Sequence, residues 1–231
     1  MRVGGSHATV FDTPSGVDLA RASTDCNACP DRRANPRKEP NLFRWTKRSP
    51  RADTIRSLYG VIVAQARRPA FYADYGVPDT PAGRFDMILL HLILFVRRLR
   101  PESALIRSLG QGVFDLFCRD MDHSFREMGI GDLSVPKHMR RVAEAFYGRA
   151  AAYDAAIAGV GEEPLAAVLA RNIFAESTAP SAARRLARYV RGAINDLDRQ
   201  QAETFVQARL GFPDPDLIAA PACRREEQPD E

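Results

Sequence analysis

Residues Phe114 to Met139 read FDLFCRDMDHSFREMGIGDLSVPKHM. Four aspartates, one glutamate, two histidines and a cysteine stand in this stretch. Such a mixture suits a metal site, acid–base chemistry, or the wet side of a helix. Periodicity decides the local structure first. Phe114, Phe117, Cys118, Met121, Phe125 and Met128 recur at steps of one, three or four residues, which puts them on one helical face. Asp115, Arg119, Asp122 and Arg126 share another face with alternating sign, so each carboxylate is expected to have a guanidinium in reach. Asp120, Ser124 and Glu127 form a third strip, with His123 beside it. The GIGD turn then breaks the pattern, and Ser134 and Pro136 restart it as cap and first-turn proline. The stretch is a helix, a turn and a second helix.

The same period recurs on both sides. A helix is expected from Ser49 and Pro50 to the residue before Pro69, with Ile55, Leu58, Tyr59, Ile62, Val63 and Ala66 inward. Met87 to Val96 is apolar nearly all round, so its helix, ending near Arg100, is central. His91 within it reads as a hydrogen-bonded core residue. Arg97, Arg98 and Arg100 place positive charge at its last turn. The helix from Glu102 to Met128 is expected to bend at Gly110-Gln111-Gly112. Further helices are expected over 134–158, with Met139, Val142, Phe146, Ala150, Tyr153 and Ile157 inward, over 164–176, and over 180–210, with Leu186, Val190, Ala193, Leu197, Thr204 and Ala208 along one side. No period-2 strand and no repeat is found. The fold expected is all-α: one domain of about six helices over 42–212, with a disordered extension over 1–41 and a loose tail over 213–231.

Composition narrows the function classes. The chain has 231 residues, 45% hydrophobic and 27% charged, with a formal charge of +4. That is ordinary for a globular protein and permits, without demanding, an anionic partner. The longest apolar run, Met87 to Val96, rises about 15 Å as a helix, half a bilayer core. The four cysteines are not spaced as a disulfide framework. Cys26 and Cys29 lack the strand–helix context of a redox pair and the second ligand pair of a zinc site, and read as chance.

Chemistry finds little footing. A metal enzyme would draw on Asp115, Asp120, Asp122 and His123, but Arg119 and Arg126 interleave these carboxylates and repel a cation. Asp120 and Asp122 point about 200° apart on a helix and form no dyad. No GxSxG, phosphate-cradling glycine loop or HExxH occurs. No cofactor is expected, and Cys118 reads as a small buried hydrophobe. A metal-dependent all-α enzyme and an RNA- or ribosome-binding regulator remain as alternatives.

The stretch LYGVIVAQARRPAFYADYGVPDTPAGRFDMILLHLILFVRRL, followed by FDLFCRDMDHSFREMGIGDLSVPKHMRRVAEAFYGRAAAYDAA, resembles the ubiquinol–cytochrome c chaperone family. The likeness covers about Leu58 to Ala156 and continues more weakly to Leu210. It implies an all-helical, non-enzymatic assembly factor for ubiquinol–cytochrome c reductase, respiratory complex III. Mitochondrial members bind newly made cytochrome b and act with a small partner protein near the ribosomal exit tunnel. For this chain the resemblance implies a bacterial member in the cytoplasm, with cytochrome b as client and the ribosome, a small partner and the inner-membrane surface as further contacts. Family members begin near the FRW…KRSPR segment, so the native start is expected near Leu42.

A chaperone for a membrane subunit needs an apolar surface with a polar rim. The loop carrying Phe71, Tyr72 and Tyr75 is too apolar to be free; it is expected either to pin itself to the core or to present a surface to a partner, as one lip. The turn carrying Ile130, Leu133, Val135 and Lys137 is another. Asp120, Asp122, Arg126 and Glu127 are expected to fix register with the partner. Arg184, Arg185, Arg188 and Arg191, with Arg44, Lys47, Arg48 and Arg51, form basic runs for phosphate or anionic lipid, and Trp45 suits a membrane interface.

Overall fold

The computed structural model describes residues 50–174 and 180–219. The expectations for 1–41, for Cys26 and Cys29, for Arg44 to the Ser49 cap, and for 220–231 lie outside the described residues. Among the described residues there are nine helices and no strand. Six are long: α1 (Pro50–Ala66), α3 (Pro81–Leu99), α4 (Ala104–Glu127), α5 (Val135–Ala158), α6 (Glu163–Ile173) and α7 (Pro180–Arg199). Three are single turns: α2 (Pro69–Ala73), α8 (Ala202–Val206) and α9 (Pro215–Ala219).

Helix α3 is the axis. Every residue from Met87 to Phe95 is buried, His91 included, because α1, α4, α5, α6 and α7 all pack on it. Thr80 starts the helix by accepting a hydrogen bond from the Gly83 amide at 3.1 Å, and Pro81 follows. A Cβ on Gly83 would stand 2.0 Å from the Pro78 carbonyl oxygen, so only glycine fits where the loop crosses this first turn. Helix α4 runs unbroken through Gly110 and Gly112, against the expected bend. A Cβ on Gly112 would lie 2.4 Å from Ile55 Cδ1, so the missing side chain lets α1 and α4 approach closely.

The expected long last helix stops at Arg199. Arg98 explains the break, although no Gly or Pro marks it. Its side chain donates to the carbonyls of Leu197 at 2.9 Å and Gln200 at 2.8 Å, and pairs with Glu102. The last carbonyls of α7 are thereby satisfied from α3 rather than by another helical turn. Thr204 and Ala208 therefore do not continue the inward face of α7. The start of the expected loose tail is also tied down. Arg68 pairs with Asp214 at 2.7 Å and Asp216 at 2.8 Å, and the Tyr75 hydroxyl donates to the Pro215 carbonyl at 2.9 Å.

His91 is a core residue, as expected. Its Nδ1–H donates to the Met87 carbonyl at 2.8 Å, so its Nε2 accepts from the Tyr189 hydroxyl at 2.8 Å. Gln65 donates to that hydroxyl and to the Pro213 carbonyl, each at 2.9 Å. Burial pushes His91 down to about 4, partly offset by its bond to Met87. Acidification from about pH 6.5 therefore charges this imidazole in the unfolded chain first. Roughly 3 kcal/mol of stability should be lost as pH falls toward 4. Urea midpoints at pH 7 and 4.5 measure it, and His91→Gln should lower the pH 7 value and flatten the slope. An undiminished slope in that variant would place the acid sensitivity elsewhere.

Candidate functional site

The apolar face of α4 behaves differently along its length. Phe117 is fully buried, Met121 and Phe125 are half-buried, and Met128 is exposed. The stripe outruns the core. Its last two turns form one wall of a groove of about 550 Å³. Pro81, Arg84, Phe85 and Ile88 of α3 line another side, and His138, Arg141, Val142 and Ala145 of α5 complete it. Arg67, just past α1, reaches the rim. A neighbouring hollow of about 470 Å³ carries Tyr72 and Asp79 and shares Arg67 and Arg84 with the groove.

Two devices fix the elements that carry the walls. Asp86 of α3 and Arg149 of α5 pair at 2.5 Å and are largely withdrawn from solvent. Burial pushes the Asp86 carboxyl up, and Arg149 pulls it back. At the far end α4 closes with a Schellman turn: the Ile130 amide bonds the Phe125 carbonyl, and the Gly129 amide bonds the Arg126 carbonyl, each at 3.0 Å. Gly129 takes φ +80°, which glycine adopts without strain.

The rim is electropositive. Arg84 pairs with Asp79 at 2.7 Å and lies over the Tyr72 ring. Arg67 and Arg141 make no ion pair among the described residues, and the groove lining itself carries no carboxylate.

Several expected contacts fall elsewhere. Phe71 and Tyr75 are fully buried, not a partner-facing lip. Phe71 packs 4.8 Å from the Tyr189 ring and 5.5 Å from His91, because an aromatic-rich loop gains more from the core than from water. Val135 is buried too, whereas Leu133 is 98% exposed and Ile130 intermediate. Lys137 is exposed beside His138 at the groove edge. The charged strip is only half built as expected. Arg126 pairs with Asp122 at 2.8 Å and also with Asp132, and His123 lies 3.0 Å from Glu127. Arg119 instead bonds the Asp115 backbone, and the Asp115 carboxylate accepts from Gln111 at 2.7 Å. Asp120 accepts from the Tyr59 hydroxyl at 2.8 Å, tying α4 to α1. Among the described residues no group of three or more His, Cys, Asp and Glu side chains comes together, so the residues of the metal-enzyme alternative do not converge. Cys118 is half-buried rather than buried. Of the basic run on α7, Arg184 pairs with Glu163 at 2.6 Å and Arg191 donates to the Gly161 carbonyl, while Arg188 is exposed and Arg185 intermediate.

The family model described as Ubiquinol-cytochrome C chaperone matches residues 73–212. The chain belongs to that family. Its fold is that of the crystallised Cbp3 homolog from Brucella abortus, 39% identical, with a TM-score of 0.67 over 72% of this chain and 92% of that one. Ubiquinol-cytochrome-c reductase complex assembly factor 1 of Xenopus laevis is 25% identical over 64% of this chain and 74% of its own length. The Mus musculus protein of that name is also 25% identical, and the match spans half of it. This family member therefore carries, among its described residues, an apolar groove with an arginine rim and no helix long and apolar enough to cross a membrane.

The Asp86–Arg149 pair should hold the groove's shape. Arg149→Met should cost about 3 kcal/mol in denaturant unfolding, since it leaves a buried carboxylate alone. Adding Asp86→Asn in the same chain should return part of that loss. A double variant no more stable than Arg149→Met would mean the pair is not the cause.

Proposed function

We propose that this chain is a non-enzymatic assembly chaperone for ubiquinol–cytochrome c reductase, and that its client is newly made or unassembled cytochrome b. The observation that carries the reading is the groove. A chain of a complex III assembly family leaves Met121, Phe125 and Met128 facing an open hollow instead of a core. Cytochrome b is the client implied by the sequence resemblance described above.

The physics suits a helix-in-groove contact. An apolar helix not yet in lipid carries side chains that need cover. The groove supplies phenylalanines and adaptable methionines, which accommodate different apolar surfaces. Arg67, Arg84 and Arg141 supply a charged rim, which selects orientation and speeds encounter more than it adds affinity. Leu133 and Met128, exposed at the end of the α4–α5 turn, extend the apolar surface beyond the groove. Contact at a bilayer surface fits peripheral binding.

A photo-crosslinker at Met128 should capture nascent cytochrome b, whereas one at exposed Val160 should not. Phe125→Ser removes one aromatic wall, worth about 1.5–3 kcal/mol if fully covered, so capture should fall roughly tenfold or more. The same variant should lower assembled complex III in cells while helicity is retained. Equal capture by Phe125→Ser and the parent chain would overturn the reading.

A further inference from the structure

We propose that the groove is also a haem site, with His138 as axial ligand to the iron and the rim arginines as partners of the propionates. The proposal requires the groove to be a working surface. It does not require the client to be cytochrome b.

Three observations on different residues meet at this one place. The first is the state of His138. Its Nδ1 lies 3.0 Å from the Ser134 carbonyl oxygen. A carbonyl only accepts, so Nδ1 carries a proton, and in the neutral ring Nε2 is then the nitrogen with the lone pair. That is the arrangement of a metal-bound imidazole, in which a backbone acceptor fixes the tautomer and steadies the ring. The other described histidines are occupied: His91 uses both nitrogens in the core, and the Nε2 of His123 faces Glu127 at 3.0 Å.

The second is the chemistry of the hollow beside it. The Phe125 ring lies 5.3 Å from the His138 ring, and Phe85, Ile88 and Val142 continue the apolar lining. The thioethers of Met121 and Met128 line the same groove and are candidates for the opposite axial position; His/Met ligation is an established haem pairing. The volume of about 550 Å³ falls within the range of roughly 300–1,000 Å³ typical of small-molecule sites.

The third is charge. Haem carries two carboxylates on an otherwise apolar plate. Arg67 and Arg141 stand at the rim without an ion pair among the described residues. Guanidinium forks match carboxylates, and a lining free of acid does not repel them. A fatty acid would satisfy the apolar wall and the arginines but would not use the imidazole, so His138 separates the two ligands.

The site is partly open, which suits transient holding and release rather than permanent residence. No bond is made or broken beyond iron–nitrogen coordination, and no electron is transferred.

The experiment titrates ferric haem into the purified full chain without client and follows the Soret band. Saturation at one haem per chain with a shifted, sharpened band is expected. His138→Gly should bind roughly tenfold or more weakly, and added imidazole should restore the parent spectrum. Arg141→Ala should weaken binding without changing the band position. Circular dichroism on each variant checks that helicity is kept. No band shift in the parent chain would overturn the proposal. So would indistinguishable titrations for the parent and His138→Gly, since these mean haem adheres without the ligand. Client capture measured on haem-free His138→Gly reports separately on the chaperone reading, because that change leaves the phenylalanine and methionine wall intact.

Discussion

Helix α3 must be covered on every side, and the rest of the fold follows from that requirement. Nine consecutive buried residues from Met87 to Phe95 leave no face of the helix for water. Each fully buried aliphatic or aromatic side chain is worth about 1.5–3 kcal/mol, so leaving any side open would be costly. One amphipathic helix covers about a third of a cylinder. Five long helices therefore gather around α3, and only its first two turns, through Pro81, Arg84, Phe85 and Ile88, reach the groove.

Close burial of α3 also dictates its polar contacts. A histidine in such a helix cannot be charged without large cost, and His91 is neutral and bonded at both nitrogens. Arg98 remains charged at the same helix's end and is 8% exposed. It is tolerated because its donors meet the Leu197 and Gln200 carbonyls and the Glu102 carboxylate, while its plane lies 5.6 Å from the Phe205 ring centre. One arginine thereby ends α7, seats α8 and locks both to the central helix.

These causes explain what was legible. The six long helices could be read because hydrophobic period and helix-terminal residues are local properties: Pro50, Pro136, Gly129. Ser134 takes the N-cap position of α5, but its side chain makes no capping hydrogen bond there, against the expectation. The centrality of α3 was legible because an all-round apolar helix has only one place to go. The break after Arg199 was not, since its cause lies about a hundred positions away in Arg98. Nor was the docking of Asp214 and Asp216, which depends on Arg68. Aromatics in the loop after α1 indicated that it was not free, but only the fold assigns Phe71 and Tyr75 to the core and leaves Tyr72 at a hollow.

The groove was hidden for a more general reason. The α4 stripe from Phe114 to Met128 keeps one period throughout, and periodicity cannot tell a face that meets a core from one that extends past it. The difference lies in the partners. Val113 and Phe117 reach the buried part of the bundle, where α3 is deeply enclosed. Met121, Phe125 and Met128 sit where α3 is only beginning and α5 has just turned back from the Gly129 bend. Ser124 and Ala145 are too small to fill the space between the helices here, and the bulky residues stand at the walls. The same geometry places His138 at the start of α5, where the Ser134 carbonyl fixes its Nδ1 and leaves Nε2 available. An apolar stripe longer than its core, opposite a tautomer-fixed histidine and arginines without acid partners, is a feature of the assembled bundle. Its three parts lie on α4, on α5 and just past α1, and have no common sequence period.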